Sequence, residues 1–161
     1  MRPAPWDNGP VLDMDWDGRE LAPGARGHMA TFARSLARAC LSSGAQVVLS
    51  AATPWPRHAI SIGDPAPLAL DVVELMVASD CVVVPAGRMP SPTARAAAVA
   101  WDAERLLVAP ALHHGEILAI GLAALPGQVR PDMVEAQRAG ARLGAALAGW
   151  SAPLLRELAP V

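Results

Sequence analysis

The chain has 161 residues, which is enough for one domain built around a single core. Its 13 basic and 15 acidic residues give a net charge of -2, so nucleic acid is not an expected partner. All the basic residues other than histidine are arginines, and a chain without lysine cannot supply the lysine of a P-loop or of a Schiff base.

The N-terminal part is predicted to contain an arm, a strand and a helix. Residues 1–10 are rich in Pro and Gly and are expected to form a flexible arm. The segment PVLDMDW that follows is a candidate strand. Apolar residues then recur at helical spacing from His28 to Cys40, with arginines on the opposite face, so we expect a helix that ends at Gly44.

Alternating aspartates in and directly after the first candidate strand resemble the start of a calcium-binding loop: Asp13, Asp15 and Asp17. Counted from Asp13, the bidentate glutamate of such a loop should stand at position 24, which is Gly24. Because the closing ligand is missing, the sequence predicts no metal site.

The remaining elements alternate between strands and helices. AQVVLSA is a predicted strand, and Asp64 with Pro65 marks the start of a helix that runs to about Ser79. DCVVVPAG is the next predicted strand, ARAAAVAWDAERLLVA a helix up to Pro110, EILAIGL the last strand, and residues 133–150 the final helix. RLLVAPA could instead be a strand. This alternation predicts one α/β domain, residues 1–161, with a mostly parallel sheet covered on both faces.

The two cysteines and the N-terminus bear on the compartment. Cys40 and Cys81 both lie in apolar patterns and are expected to be buried thiols. The N-terminus has no apolar signal segment, and Pro110, two histidines and Glu116 interrupt the apolar stretch around residues 106–125. We therefore expect a cytoplasmic protein without a membrane partner.

Two pairs of segments resemble the flavodoxin superfamily. GHMATFARSLARA precedes GAQVVL, and ALHHGEILAIGL precedes RPDMVEAQRAGARLGAALA, in the order found in NAD(P)H:quinone oxidoreductases of the tryptophan-repressor-binding-protein type. The resemblance covers roughly residues 21–150. It implies a flavodoxin-like three-layer α/β/α sandwich of four to five strands, with one family element lost or merged. It also implies FMN, NAD(P)H as electron donor, and a quinone or similar aromatic substrate.

The resemblance assigns candidate roles to three groups of residues. A turn and helix start at residues 24–31 would hold the FMN phosphate through Gly24, Arg26, Gly27, His28, Met29 and Thr31. The loop after DCVVV would wrap the flavin ring through Pro85, Ala86, Gly87 and Arg88. His114 would border the flavin and the quinone, with His113 and Glu116 as neighbouring acid or base groups.

Three functions follow from these assignments. The first is an FMN-dependent quinone reductase. Gly24 and Arg26 depart from the hydroxyl and aromatic residues of the family's phosphate loop and weaken that site, so the second is a flavin-free enzyme acting on a polyketide-like aromatic metabolite through His114 or Glu116. The third is a non-enzymatic binding or partner protein. A homodimer or larger homo-oligomer is expected in each case, because a shortened sheet leaves an edge to cover.

Overall fold

The computed structural model describes the main chain of residues 12–14, 23–50, 52–53, 58–76 and 79–158, and the side chains of these residues except 12–14, 23 and 150–158. The predicted arm, residues 1–10, lies outside the described residues, as do Asp15 and Asp17.

The described part of the chain contains six strands in one sheet: β1 (Leu12–Met14), β2 (Gly44–Leu49), β3 (Ala59–Gly63), β4 (Val82–Pro85), β5 (Arg105–His113) and β6 (Glu116–Leu125). Their order across the sheet is β1-β3-β2-β6-β5-β4, and every neighbouring pair is antiparallel. In the centre, Val47 of β2 pairs with Ile60 of β3 on one side and with Gly121 of β6 on the other. The predicted mostly parallel, flavodoxin-like sheet is therefore wrong.

The error has a physical cause in the strand sequences. Strands of a parallel sheet read as continuous apolar runs because both of their faces are buried. Here β2 is buried at all six positions, although its neighbours are antiparallel, because protein covers this sheet on both faces as well. Continuous apolarity thus reports burial on both faces and not strand direction.

Among the described residues, four helices accompany the sheet: α1 (Pro23–Cys40), α2 (Val72–Leu75), α3 (Pro92–Ala100) and α4 (Met133–Leu158). A 3-10 turn at Ala86–Arg88 follows β4. The helix predicted from Asp64 to Ser79 is reduced to the single turn α2. The helix predicted up to Pro110 ends at Ala100, and the alternative strand is the correct one, since RLLVAPALH is β5.

Helices α1 and α4 cover one face of the sheet. The apolar stripe of α1 is buried as its periodicity predicts, with Met29 and Leu36 fully inaccessible to solvent. Helix α4 packs so closely on β5 that a Cβ atom at Gly140 or Gly144 would clash with the carbonyl oxygen of Pro110 or Leu112, respectively. This close crossing requires glycine at both helix positions.

The opposite face is covered by α3, by the short α2 and by the irregular segment between β3 and α2. Gln46 points to this face from β2 and holds the segment by accepting a hydrogen bond from Ala69 N at 3.0 Å and donating one to Pro67 O at 2.6 Å. The indole of Trp101 donates to Asp64 O at 3.1 Å. Polar contacts between distant residues therefore hold this layer.

A two-residue turn joins β5 to β6. His113 pairs with Glu116 at the end of the ladder, so His114 and Gly115 form the turn, with φ of 50° and 79°. Two successive positive φ angles suit the tight turn that matches strand twist in a hairpin. The histidines lie in a hairpin and not, as predicted, in a loop between a helix and a parallel strand.

Candidate functional site

The residues assigned to a phosphate loop do not form a loop. Helix α1 begins at Pro23, so the whole predicted turn and helix start lies within its first three turns: Gly24, Arg26, Gly27, His28, Met29 and Thr31. An added Cβ at Gly27 would meet nothing within 4 Å, so no neighbour requires glycine there. Met29 is fully buried in the core beneath the helix. Of the turn and helix start expected at residues 24–31, the helix is present, but the turn is wrong because these residues already belong to α1.

The residues assigned to a flavin-ring loop lie elsewhere: Pro85 ends β4, and Ala86, Gly87 and Arg88 form the 3-10 turn. Among the described strands, β4 is an outer strand that pairs only with β5, whereas α1 packs on β2, β3 and β6. The structure therefore does not bring these residues together with those of α1. The FMN and NAD(P)H that the resemblance implied stay predictions, but the fold and the loops that motivated them are not present in the described part of the chain.

The predicted catalytic residues are at the β5–β6 hairpin. His114 and Glu116 are exposed, His113 is half-buried, and the two imidazole rings meet edge to face with centroids 4.1 Å apart. None of the three lines the groove described next.

A groove between α1 and α4 brings together two of the predicted residues, His28 and Thr31. Its volume is about 360 Å³, within the range of small-molecule sites. It is lined by His28, Thr31, Phe32, Ser35, Ala139, Arg142, Leu143 and Ala145.

The groove combines an apolar floor with polar edges. Phe32 and Leu143 are each 2% exposed and form the floor. His28, Thr31 and Ser35 follow one another along one face of α1, because residues three or four apart are neighbours on a helix surface. They supply an imidazole and two hydroxyl groups.

Arg142 provides the positive charge from α4. Its guanidinium is 3.0 Å from Glu135 Oε1, and the two side chains are 61% and 38% exposed. An ion pair this exposed contributes little stability, so a ligand can compete for the guanidinium. The planar guanidinium can also give a carboxylate or phosphate two parallel hydrogen bonds.

A smaller cavity of about 260 Å³ lies between α4 and the edge of β5, lined by Ser79, Asp80, Cys81, Pro110, Leu112, Gln137 and Ala141. Burial and the nearby Asp80 carboxylate raise the pKa of Cys81, while burial, together with Cys81, raises the pKa of Cys40 to about 12. Both thiols are buried, as predicted, and remain protonated near neutral pH. A protonated buried thiol is a poor nucleophile, so this cavity offers no cysteine chemistry.

Asp71 belongs to a polar cluster that joins α2 to α3. Its Oδ1 accepts hydrogen bonds from Ser91 Oγ, at 2.5 Å, and from Thr93 Oγ1. Burial raises the pKa of Asp71, but these hydrogen bonds outweigh burial, and the net shift is downward. Ser91 Oγ also accepts from Ala94 N at the start of α3, so the cluster works as a helix cap.

Sequence reasoning missed Ser35 and Arg142 as candidate ligand contacts. The apolar stripe of α1, which includes Phe32, was predicted, and Leu143 lies in the predicted final helix. What the stripes could not show is that α1 and α4 pack side by side on the same face of the sheet. The available signal was the polar series His28, Thr31 and Ser35 beside the apolar stripe.

Within the described ranges, no helix is long and apolar enough to cross a bilayer. The same residues contain no group of three or more His, Cys, Asp or Glu side chains placed to hold a metal ion.

Comparison with known proteins relates the fold to one solved structure. No sequence family and no curated protein matches the chain. A GAF domain/HD domain protein from Geobacter sulfurreducens superposes on 81% of this chain and 95% of its own, with a TM-score of 0.50 and 10% sequence identity. At this identity the likeness concerns the fold alone. It corrects the flavodoxin resemblance, and the chain has a GAF-like fold built on an antiparallel sheet.

Proposed function

We propose that this domain is a binding module for a small anionic molecule with an apolar body, and that the ligand lies in the groove between α1 and α4. The observation that carries the proposal is that Arg142 lines the same groove as the buried Phe32 and Leu143. A ligand with a carboxylate or phosphate on an apolar body could pair with the guanidinium of Arg142 and pack against the apolar floor at the same time. Thr31 and Ser35 supply hydroxyl groups that can hydrogen-bond the same oxygens.

Binding is favoured over catalysis by the positions of the candidate acid and base groups. His114 and Glu116 lie exposed at a hairpin, and the smaller cavity contains a protonated thiol. Asp71 and Ser91 hydrogen-bond each other at a helix cap. In the described part of the chain, these groups give no arrangement of nucleophile, base and orienting group.

The test is titration calorimetry and thermal denaturation with hexanoate, benzoate and inorganic phosphate at fixed ionic strength, with hexanamide as the uncharged control. We expect hexanoate or benzoate to raise the melting temperature in a concentration-dependent way, as any ligand of the folded state does. Hexanamide should bind more weakly, because it cannot pair with a guanidinium.

Two arginine variants make the test specific to the groove. Arg142→Gln should weaken carboxylate binding roughly tenfold, since a hydrogen bond to a charged group contributes about 1.5 kcal/mol or more. Arg138→Gln removes the same charge from an exposed position on the same helix that does not line the groove, and should leave binding unchanged. Equal losses in the two variants, or no binding by any of the anions, would disprove the proposal.

A further inference from the structure

Strand β4 is an outer strand whose surface is unusually apolar. Val82 and Val83 are 37% and 36% exposed, and Val84 is half-buried. Successive residues of a strand point to opposite faces, so this edge exposes valine on both faces of the sheet. An exposed apolar edge is the feature that proteins normally cover or blunt with charges.

The ladder with β5 fixes which main-chain groups of β4 face outward. Val82 pairs with Val108 and Val84 with Leu106, and in the same register Ala86 N donates to Glu104 O at 2.8 Å. Hydrogen-bonded pairs alternate along an antiparallel ladder, so the even-numbered residues bond to β5.

The odd-numbered residues of β4 therefore face away from β5. Val83 presents both its N–H and its C=O at the outer edge, and Pro85 presents a C=O there. Pro85 has no N–H, which costs no ladder hydrogen bond at an outward position.

We propose that β4 is the contact strand of a symmetric dimer, in which the β4 strands of two copies pair antiparallel and join the two sheets. When Val83 opposes Val83 of the second copy, the two residues exchange both of their hydrogen bonds. In that register the Cys81 N–H of each copy donates to the Pro85 carbonyl of the other, while the Cys81 carbonyl has no donor opposite it because Pro85 lacks an N–H. This surface is separate from the groove between α1 and α4.

The charges at the two ends of β4 select a second copy of this chain as the partner. Asp80 precedes the strand and Arg88 ends the turn that follows it, and both side chains are exposed. Among the described residues, neither takes part in an ion pair. Antiparallel pairing brings Asp80 of each copy to the end of the interface where the other copy carries Arg88. The strand is therefore complementary to itself in charge as well as in hydrogen bonding.

Sedimentation equilibrium and light scattering measure the dimer directly. The contact is small, so weak association is expected and the protein should be studied from roughly 5 to about 500 µM. We expect a concentration-dependent dimer. A chain that stays monomeric over this range overturns the proposal and leaves β4 to another segment of the chain or to a different protein.

Val83→Pro removes the outward N–H without removing a hydrogen bond to β5. We expect it to raise the dimer dissociation constant roughly tenfold or more, because each copy loses one main-chain donor. Val83→Ala keeps that N–H and should change the constant only by about threefold, since little apolar area is lost. Equal effects of the two variants would show that main-chain pairing is not the contact.

Charge exchange at exposed positions tests the same interface without touching the strand. Asp80→Arg and Arg88→Asp should each weaken self-association about two- to tenfold, as expected for exposed ion pairs. A mixture of the two single variants should form heterodimers more strongly than either variant associates with itself, because both ends of the interface then carry opposite charges. If the mixture shows no such preference, the antiparallel arrangement is wrong.

Discussion

The two faces of the sheet are covered in different ways. On one face, two long helices bury apolar stripes, and glycines at positions 140 and 144 let α4 lie directly on the main chain of β5. On the other face, a single helical turn, a nine-residue helix and irregular chain are held by Gln46, Asp71 and Trp101. Packed regular elements and hydrogen bonds from individual polar side chains can therefore cover the same sheet, but the two layers respond to different substitutions.

The face covered by α1 and α4, the helical face, should respond most strongly to a substitution. In Gly144→Ala, the new methyl group would overlap the carbonyl oxygen of Leu112, a main-chain atom of the β5–β6 ladder rather than the end of a flexible side chain. We expect the free energy of unfolding to fall by roughly 3 kcal/mol, at the upper end of the cost of overpacking. Urea denaturation measures the change.

The matched control is Gly149→Ala on the same helix. A Cβ there would meet nothing within 4 Å, so the variant should be unchanged or more stable by up to about 1 kcal/mol, the helix preference of alanine over glycine. Similar losses of stability at the two positions would contradict the close crossing of α4 over β5.

The next effect concerns the opposite face. Gln46→Leu leaves Ala69 N and Pro67 O without the hydrogen bonds that Gln46 provides. We expect a loss of about 2 kcal/mol, within the usual penalty for unsatisfied buried groups, and faster hydrogen exchange of the Ala69 amide. Val48→Ala, on the same face of the same strand, should also reduce stability but should not selectively expose that amide. If it does so equally, Gln46 is not what holds the segment.

The smallest effect depends on pH. Asp71 has a lowered pKa in the folded protein, so its contribution to stability is present above the ordinary aspartate pKa of about 3.9 and is lost as the pH falls through the lower folded value. Asp71→Asn should cost about 0.5–1 kcal/mol at pH 7, discounted because the carboxylate is partly exposed. The stabilities of the variant and the wild type should converge as the pH falls below the ordinary aspartate pKa and through the lower folded value. If the difference in the free energy of unfolding between the variant and the wild type stays constant from pH 7 into this acid range, the pKa of Asp71 is not lowered in the folded protein.

The helical face could be predicted from the sequence, because its information is local. The stripe from Met29 to Leu36 and the one around Leu143 follow helical spacing, and both are buried. The opposite face, which Gln46 and Asp71 help to hold, could not be predicted. The hydrogen-bond partners of these two residues lie about 20 residues away in the sequence, and no periodicity indicates such pairs. The groove combines the two cases. Each of the helices that line it, α1 and α4, was predictable, but their packing side by side depends on the order of the strands.

The direction of the strands was predicted wrongly because it too depends on pairing between distant residues. The β5–β6 hairpin shows where the prediction failed. His114–Gly115 is a two-residue connection with positive φ angles, a signal that a histidine in place of asparagine obscured. Because His113 and His114 were interpreted as a loop leading into a parallel strand, the preceding RLLVAPA was assigned to a helix. The predicted sheet therefore lacked the strand that is β5 in the structure.

The position of β2 beside β6 also has a kinetic consequence. The β5–β6 hairpin closes through two residues and can form within microseconds. In contrast, the contact of Ser50 with Ile117 joins residues 67 positions apart, so β2 can add to β6 only after a long loop has closed. Because such non-local pairings slow folding, we expect the hairpin to act as the template on which the N-terminal half of the sheet assembles late.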